Sequence, residues 1–249
     1  FFASGIDFHL PAQKVIPQSI APVFANAESI TGRPNYLDSP FNTAGDRLYM
    51  VGHQNGTFPD LGWHVKGEMG GIWHHPIKLM DGFEASVTAD GATVALTKAD
   101  AFVNYPFGNK HIFNTFSEKI TVERLQFVPD GKSAVYVEFL VKNKTNKKLN
   151  VTLDLKAISN LMPVWLGERT GMVDGKDAAI YRSAENFWVA KDALNPWYAV
   201  YGSSIKGTPS STSEANLTKP NVSTTHTQYT FEIAPNGVFS FPLIIAGSS

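Results

Sequence analysis

The residues with the richest chemistry lie in one run, from Gly62 to Phe83. This run holds two of the five tryptophans, three of the seven histidines, five glycines, two carboxylates and two lysines. Neither a regular helix nor a regular strand needs such a mixture. Glycines free the backbone, aromatic rings offer flat apolar faces, and charged groups make directional hydrogen bonds. The run therefore predicts a loop that contacts a polar ring, and a sugar is the first candidate.

Two tryptophans of this run could stack on sugar rings. Trp63 and Trp73 both have glycines and charged residues as sequence neighbours, which argues against a plain core segment. The opposite interpretation is that both rings are buried under a long loop, since tryptophan is mostly buried in folded proteins. The sequence leaves both interpretations open for each residue.

The three histidines of the run raise the question of a metal site or of acid–base chemistry. His74 and His75 are adjacent, so in an extended chain they point to opposite faces and chelate poorly. A zinc site normally needs three or four converging ligands. We therefore predict no metal and no other cofactor, and we expect His64 and His74 to make structural hydrogen bonds or to contact a substrate.

The run also contains two carboxylates, the number that glycoside hydrolysis requires. Glu68 and Asp81 are the nearest candidates, but the sequence gives no distance between them. In the alternative interpretation, Glu68 pairs with Lys66 or Lys78 to fix the loop, and Asp81 caps the turn into the next strand. Structural pairs of this kind are common, so we assign no catalytic residue to this chain.

A second dense segment extends from Met162 to Asp177. Arg169 could clamp a ligand, and Trp165 could pack on a partner surface. The simpler interpretation is a long connection with a turn at Asp174-Gly175, and we favour it.

Most of the chain after Phe83 alternates apolar and polar residues with a period near two, which is typical of strands. Asp90-Gly91 is a strong hairpin signal. Strands are predicted at 83–89, 92–98, 133–141, 149–157, 178–182, 186–190, 197–202, 227–233 and 238–245. We expect residues 143–148 to form a solvated hairpin loop and Pro235-Asn236-Gly237 to turn the last pair of strands.

This pattern predicts an all-β fold, an antiparallel sandwich with long loops, as one domain over residues 1–249. Residues 1–46 contain five prolines, so we expect an N-terminal arm of edge strands and loops rather than a long helix. Residues 203–227 are rich in serine and threonine and predict a polar excursion between strands.

Composition excludes several classes of protein. The net charge of −1 lacks the basic excess of a nucleic-acid-binding protein. The sequence contains no apolar run of about eighteen residues, so we expect no membrane span. Cysteine is absent, which fits an exported bacterial protein as well as a cytosolic one. The chain begins with Phe1, so we expect a processed piece of a longer product, secreted or periplasmic.

A resemblance is carried by Gly56-Thr57-Phe58-Pro59-Asp60-Leu61-Gly62-Trp63-His64, followed by Gly70-Gly71-Ile72-Trp73 and Pro76. The run resembles the N-terminal β-super-sandwich domain of inverting glycoside hydrolases with an (α/α)6 barrel, in particular family 63 glucosidases and glycogen-debranching-like bacterial proteins. The resemblance implies a galactose-mutarotase-like fold. It also implies that the catalytic acid and base lie on a C-terminal helical barrel, and we expect this chain to lack that barrel.

The leading hypothesis is therefore a non-catalytic domain of a bacterial glycosidase that acts on α-glucan or related oligosaccharides. Its loop would face the substrate or the barrel through Trp63, His64, Glu68, Trp73, His74, Lys78 and Asp81. One alternative is a stand-alone carbohydrate-binding module. Another is a mutarotase-like sugar epimerase, which the clustering of histidines in a single loop, away from the strands, disfavours.

Overall fold

The computed structural model describes residues 19–63, 65–115, 117–211, 219 and 221–248. His64 and the first eighteen residues of the predicted arm lie outside this range. The strands of the described residues are β1 (Ile30–Thr31), β2 (Pro40–Ala44), β3 (Tyr49–His53), β4 (Gly71–His74), β5 (Ile77–Ala89), β6 (Ala92–Ala95), β7 (Ala101–Tyr105), β8 (Gly108–Phe113), β9 (Ile120–Phe127), β10 (Ala134–Asn143), β11 (Leu149–Ser159), β12 (Asp177–Arg182), β13 (Phe187–Asp192), β14 (Tyr198–Gly202), β15 (Thr208–Ser211), β16 (Ser223–Ile233) and β17 (Val238–Ser248).

These strands form two antiparallel sheets that pack face to face. The nine-stranded sheet has the order β1-β7-β8-β9-β10-β17-β14-β13-β12. The eight-stranded sheet has the order β15-β16-β11-β5-β4-β3-β2, and β6 adds to it by pairing with β5. The predicted all-β, antiparallel sandwich is therefore confirmed.

The core between the sheets follows from the alternation in the sequence. In β11 the residues Leu149, Val151, Leu153 and Leu155 are buried, while the residues between them are exposed or half-buried. In β10 of the other sheet, alternate residues are also buried, namely Val135, Val137, Phe139 and Val141. Removal of this apolar surface from water is the main force that holds the two sheets together.

One prediction about the connections is wrong. Residues 143–148 do not close a hairpin, because β10 pairs with β9 and β17 while β11 pairs with β5 and β16. The connection instead crosses from one sheet to the other, and residues 235–237 do the same between β16 and β17. Alternation in the sequence shows that each strand buries one face in the shared core. It does not show which strands are hydrogen-bonded neighbours. The Asp90-Gly91 hairpin between β5 and β6 is confirmed.

The described part of the N-terminal arm contributes strands to both sheets. As expected, β1 and β2 are edge strands. A short helix, α1 (Ala21–Ala25), was not predicted; Pro22 lies in its first turn. Its Phe24 packs edge-on against Tyr105 and Phe107 on the outer side of the nine-stranded sheet, with ring centroids 4.8 and 5.0 Å away.

Two elements shape the loops near the start of β5. Helix α2 (Trp165–Arg169) interrupts the long connection between β11 and β12, and β15 forms within the predicted polar excursion by pairing with β16. No helix among the described residues has the length and apolarity to cross a membrane.

A candidate site on the eight-stranded sheet

An open cleft lies on the outer side of the eight-stranded sheet. Its floor is formed by Gly82 and Glu84 of β5 and by Ile158 of β11, which is the register partner of Gly82. Glu84 is exposed while its neighbours Phe83 and Ala85 are buried, so alternate residues of β5 face the cleft and the core. The walls are residues 56–60 and 96–97, and the volume is about 400 Å³. This size falls within the usual range for small-molecule sites.

A chain of ion pairs borders the cleft, and we call Asp60, Lys78, Asp81 and Lys219 the lysine–aspartate cluster. Lys78 Nζ lies 2.6 Å from Asp81 Oδ1. Lys219 Nζ lies 2.7 Å from the other oxygen of Asp81 and also donates to Asp60. Asp60 and Lys219, from two other parts of the chain, thus converge on the first residues of β5.

Hydrogen bonds tie two further segments, the connection after β11 and the glycine-rich loop, to the start of β5. Lys78 N donates to Met162 O at 2.8 Å, so the chain after β11 runs along the start of β5. Lys78 Nζ also donates to Gly67 O at 2.9 Å, which ties down the glycine-rich loop. Asn160, held on the same connection, donates its side-chain amide to Asp81 at 2.9 Å.

Burial and pairing set the charge state of the cluster. Burial opposes ionisation of Asp81, but the adjacent Lys78 ammonium and hydrogen bonds from Lys219, Lys78 and Asn160 outweigh it, so the pKa of Asp81 lies below its usual value. Burial also lowers the pKa of Lys78, and Asp81 opposes this shift only in part. Asp81 is therefore an ionised, internally neutralised carboxylate rather than a free base.

A second, smaller cavity of about 170 Å³ lies on the other side of the cluster. Lys219 lines both cavities. The polar groups around the second cavity are Lys66, Lys78, Asn160, Asp174, Lys219 and Asn221. The two cavities are thus neighbours that share the Lys219 side chain.

Asp177 lies next to this second cavity, at the start of β12. Burial raises its pKa to about 7, with nearby Asp174, Asp192 and Asp81 contributing in the same direction. One carboxyl oxygen accepts the Leu161 N–H at 2.8 Å. The other oxygen is buried and has no hydrogen-bond partner among the described residues, so no second donor stabilises the ionised form.

A buried guanidinium lies beneath the aromatic wall of the cleft. Arg124 of β9 is completely buried and donates to Gly56 O at 2.9 Å. Its guanidinium carbon lies 5.7 and 5.3 Å from the ring centres of Phe58 and Phe83. His111 lies beside it, and burial followed by the positive charge of Arg124 holds the pKa of His111 well below its usual value. Arg124 therefore supports the segment that forms the wall.

The structure separates the two tryptophans of the sequence prediction. Trp63 is 89 % exposed. Trp73 is fully buried, donates its indole N–H to Gly70 O, and stacks on Tyr49 and His75. A ring without exposed surface has no face for a sugar, so the core interpretation describes Trp73 better than the stacking one.

The other predicted residues divide in a similar way. Lys78 and Asp81 belong to the cluster, whereas Glu68 accepts the backbone N–H of Trp63 at 2.8 Å and so fixes the loop. His74 Nε2 lies 3.1 Å from the Ser133 hydroxyl, in a structural contact. No group of three or more metal-binding side chains converges within the part of the chain that the structure describes.

Several residues of the site were missed by sequence reasoning. Asp60 occurs in the resemblance motif but was not assigned a role, and Lys219 lies inside a serine- and threonine-rich stretch without any motif. Asp174 was interpreted only as a turn residue, yet its carboxylate accepts the Asn221 amide at 2.8 Å. The sequence signal available for these residues was a single charged side chain within an otherwise polar segment.

Comparisons with known proteins place the fold. No protein-family model matches the chain, and no curated protein does. Among solved structures, a protein assigned as a kojibiose phosphorylase from the human microbiome superposes with a TM-score of 0.56 at 9% identity, over 88% of this chain and 32% of its own. A protein assigned as an aldose 1-epimerase from Escherichia coli K12 gives 0.55 at 7% identity, over 84% and 99%. This chain has a galactose-mutarotase-like fold.

A galactose-mutarotase-related enzyme from Lactobacillus acidophilus agrees, with a TM-score of 0.50 at 9% identity over 84% of this chain and 97% of its own. At such identities the mutarotase-like similarity describes the fold alone. The chain spans about a third of the length of the phosphorylase that it matches. The super-sandwich predicted from the resemblance is therefore confirmed, while family 63 is not singled out.

Proposed function

We propose that this chain is a carbohydrate-binding β-sandwich domain of a sugar-active enzyme. The observation that carries the proposal is the cleft of about 400 Å³, in which an aromatic side chain, Phe58, meets Glu84 and the lysine–aspartate cluster. Sugar sites combine an apolar ring face with a few fixed polar groups that hydrogen-bond hydroxyls. The exposed Trp63, on the adjoining loop, supplies a second aromatic face.

The larger protein that we propose is an exported bacterial glycoside hydrolase acting on α-glucan or related oligosaccharides. The catalytic acid and base would lie on a separate helical domain. The run 62–83 is not one loop, because β4 and β5 begin within it, so residues 62–70 ahead of β4 are the part that would line the substrate cleft. Two observations support this. The phosphorylase that shares the fold is about three times longer than this chain, and Asp81 is neutralised by lysines on both of its oxygens, as suits a binding role.

Binding by the isolated chain tests the proposal. Titration calorimetry with a panel of glucose, galactose and mannose oligosaccharides should detect at least one ligand, and Glu84→Gln should weaken its binding about tenfold, as expected for loss of a charged hydrogen-bond partner. Glu232→Gln is the matched control. Glu84 and Glu232 are both 57% exposed in their side chains and both pair with a lysine, but Glu232 is remote from the cleft. An equal effect of both changes would contradict the proposal.

A sugar epimerase is the second candidate, and one observation favours it. His226 of β16, Lys156 of β11 and Glu84 of β5 are register partners across three neighbouring strands. An imidazole and a carboxylate thus share the outer face that carries the cleft, which suits proton transfer to and from a sugar. Anomer interconversion by the wild-type chain and its loss in His226→Asn would support this function, and inactivity of the wild-type chain toward every aldose tested would refute it.

A further inference from the structure

We propose that the second cavity is a subsite for a single neutral sugar unit, adjoining the cleft across Lys219. This inference rests on the proposed carbohydrate-binding function and specifies where along the protein an oligosaccharide chain would end. The hydrogen-bonding groups of the cavity, its balance of charge and its size all favour such a ligand.

The hydrogen-bonding groups of the cavity include both donors and acceptors. Asn160 and Asn221 each use one amide contact within the protein, to Asp81 and to Asp174. Each of these amides keeps its oxygen as an acceptor. Lysine ammonium groups add donors that exceed the contacts they make here. Hydroxyl groups both donate and accept, so neighbouring hydroxyls of a sugar match such a mixture.

The charges around the cavity exclude ions as the preferred ligand. Three ammonium groups, Lys66, Lys78 and Lys219, line it and would repel a metal cation. Asp174 lines it as well, and Asp60 and Asp81 pair with the same lysines, so three carboxylates balance the three ammonium groups and leave no net positive charge to attract a phosphate or a carboxylate. A neutral ligand with many hydroxyls is the class that meets both signs of charge without repulsion.

The volume is close to that of one sugar ring. About 170 Å³ corresponds to five or six water molecules at roughly 30 Å³ each, which suits one sugar unit. The cleft beyond Lys219 has more than twice this volume. An oligosaccharide would therefore place its terminal unit in the second cavity and continue into the cleft, with the Lys219 ammonium beside the linkage.

Side-chain amide signals in ¹H–¹⁵N NMR spectra provide the test on the unmodified chain. On addition of the saccharides bound in the calorimetric panel, the Asn160 and Asn221 side-chain signals should shift. Those of Asn195 should not, because that amide is committed to Val173 O and Asp192 and lies outside both cavities.

A variant gives an independent measurement. Asp174→Asn should weaken binding, because the charge-assisted hydrogen bond that holds the Asn221 amide at the cavity becomes a weaker, neutral one, whereas Asp154→Asn on the outer face of β11 should leave binding unchanged. Binding that depends on Glu84 but leaves the Asn160 and Asn221 signals and the Asp174→Asn affinity unaltered would overturn the subsite alone. Absence of binding by any saccharide of the panel would overturn the subsite together with the proposed function.

Discussion

The ammonium of Lys78 and the carboxylate of Asp81 lie 2.6 Å apart, with side chains only 2% and 10% exposed. Lys119 and Asp90 lie at the same distance, but their side chains are about half exposed. The two pairs therefore differ in burial and not in geometry. A buried pair gains little net stability from its formation, but the loss of one partner leaves a charge without compensation.

Replacement of Lys78 by methionine should destabilise the fold by about 3 kcal/mol, the lower end for a broken buried pair, because the buried carboxylate of Asp81 would keep Lys219 as its one ammonium partner. Lys119→Met should cost less than about 1 kcal/mol, as is usual for an exposed pair. Urea unfolding at neutral pH measures both.

The pH dependence gives a second check on the same pair. The native pKa of Asp81 is lowered, so the stabilisation is present above the unfolded-state pKa of about 3.9 and is lost as the pH falls through the native value. The difference between wild type and Lys78→Met should therefore shrink in acid. A constant difference, or equal losses for both lysine variants at neutral pH, would contradict the assignment.

Asp177 should make the protein less stable as the pH rises from about 4 to 7. Its pKa is about 7 in the folded chain and about 3.9 when unfolded, so only the unfolded state releases the proton in this range. Asp177→Asn keeps an acceptor for the Leu161 N–H and cannot ionise. The free energy of unfolding of Asp177→Asn should therefore rise relative to that of wild type across this range, by at most about 1.4 kcal/mol per unit of pKa shift. Parallel pH profiles would refute the prediction.

Gly82 should not tolerate a side chain. A Cβ atom there would lie 2.4 Å from Cγ of Phe58, and the backbone φ is +138°. We expect Gly82→Ala to displace Phe58 and to lower both stability and saccharide binding. Gly91→Ala is the matched control, since Gly91 also has a positive φ (+78°) but a Cβ would meet nothing within 4 Å. Melting temperatures that fall equally in the two variants would mean that backbone strain, and not Phe58, explains the loss.

The two tryptophans should separate binding from stability. Trp63→Ala should leave the melting temperature unchanged, because the ring is exposed, and should weaken saccharide binding. Trp73→Ala should cost about 3–5 kcal/mol through the cavity that it leaves. Thermal unfolding and calorimetric titration of both variants check this; a large stability loss on removal of Trp63 would contradict its placement.

Much of the fold could be predicted because strands of a sandwich bury alternate residues. The buried set Leu149, Val151, Leu153 and Leu155 is visible in the sequence, and so is the Asp90-Gly91 turn. Strand pairing could not be predicted, because β10 and β11 have the same pattern whether they pair with each other or face each other across the core. Helix α1 was missed for a different reason: five residues are too few for a periodic signal.

The candidate site was predictable only in part. Lys78 and Asp81 are three residues apart, so they were visible in one dense run. Lys219 is brought to Asp81 from 138 positions away, and nothing in its surrounding sequence marks it. The depth of Trp73 depends on packing by Tyr49 and His75, which is a property of the folded molecule.

The position of β17 has a consequence for the order of events during synthesis. This strand lies in the middle of the nine-stranded sheet, between β10 and β14, yet it follows all the other described strands in sequence. Until residues 238–248 leave the ribosome, β1 and β7 to β10 on one side and β12 to β14 on the other have no shared hydrogen bonds. Such late, long-range closure slows folding and leaves strand edges open meanwhile. The two halves of the nine-stranded sheet are therefore joined only when β17 has been synthesised.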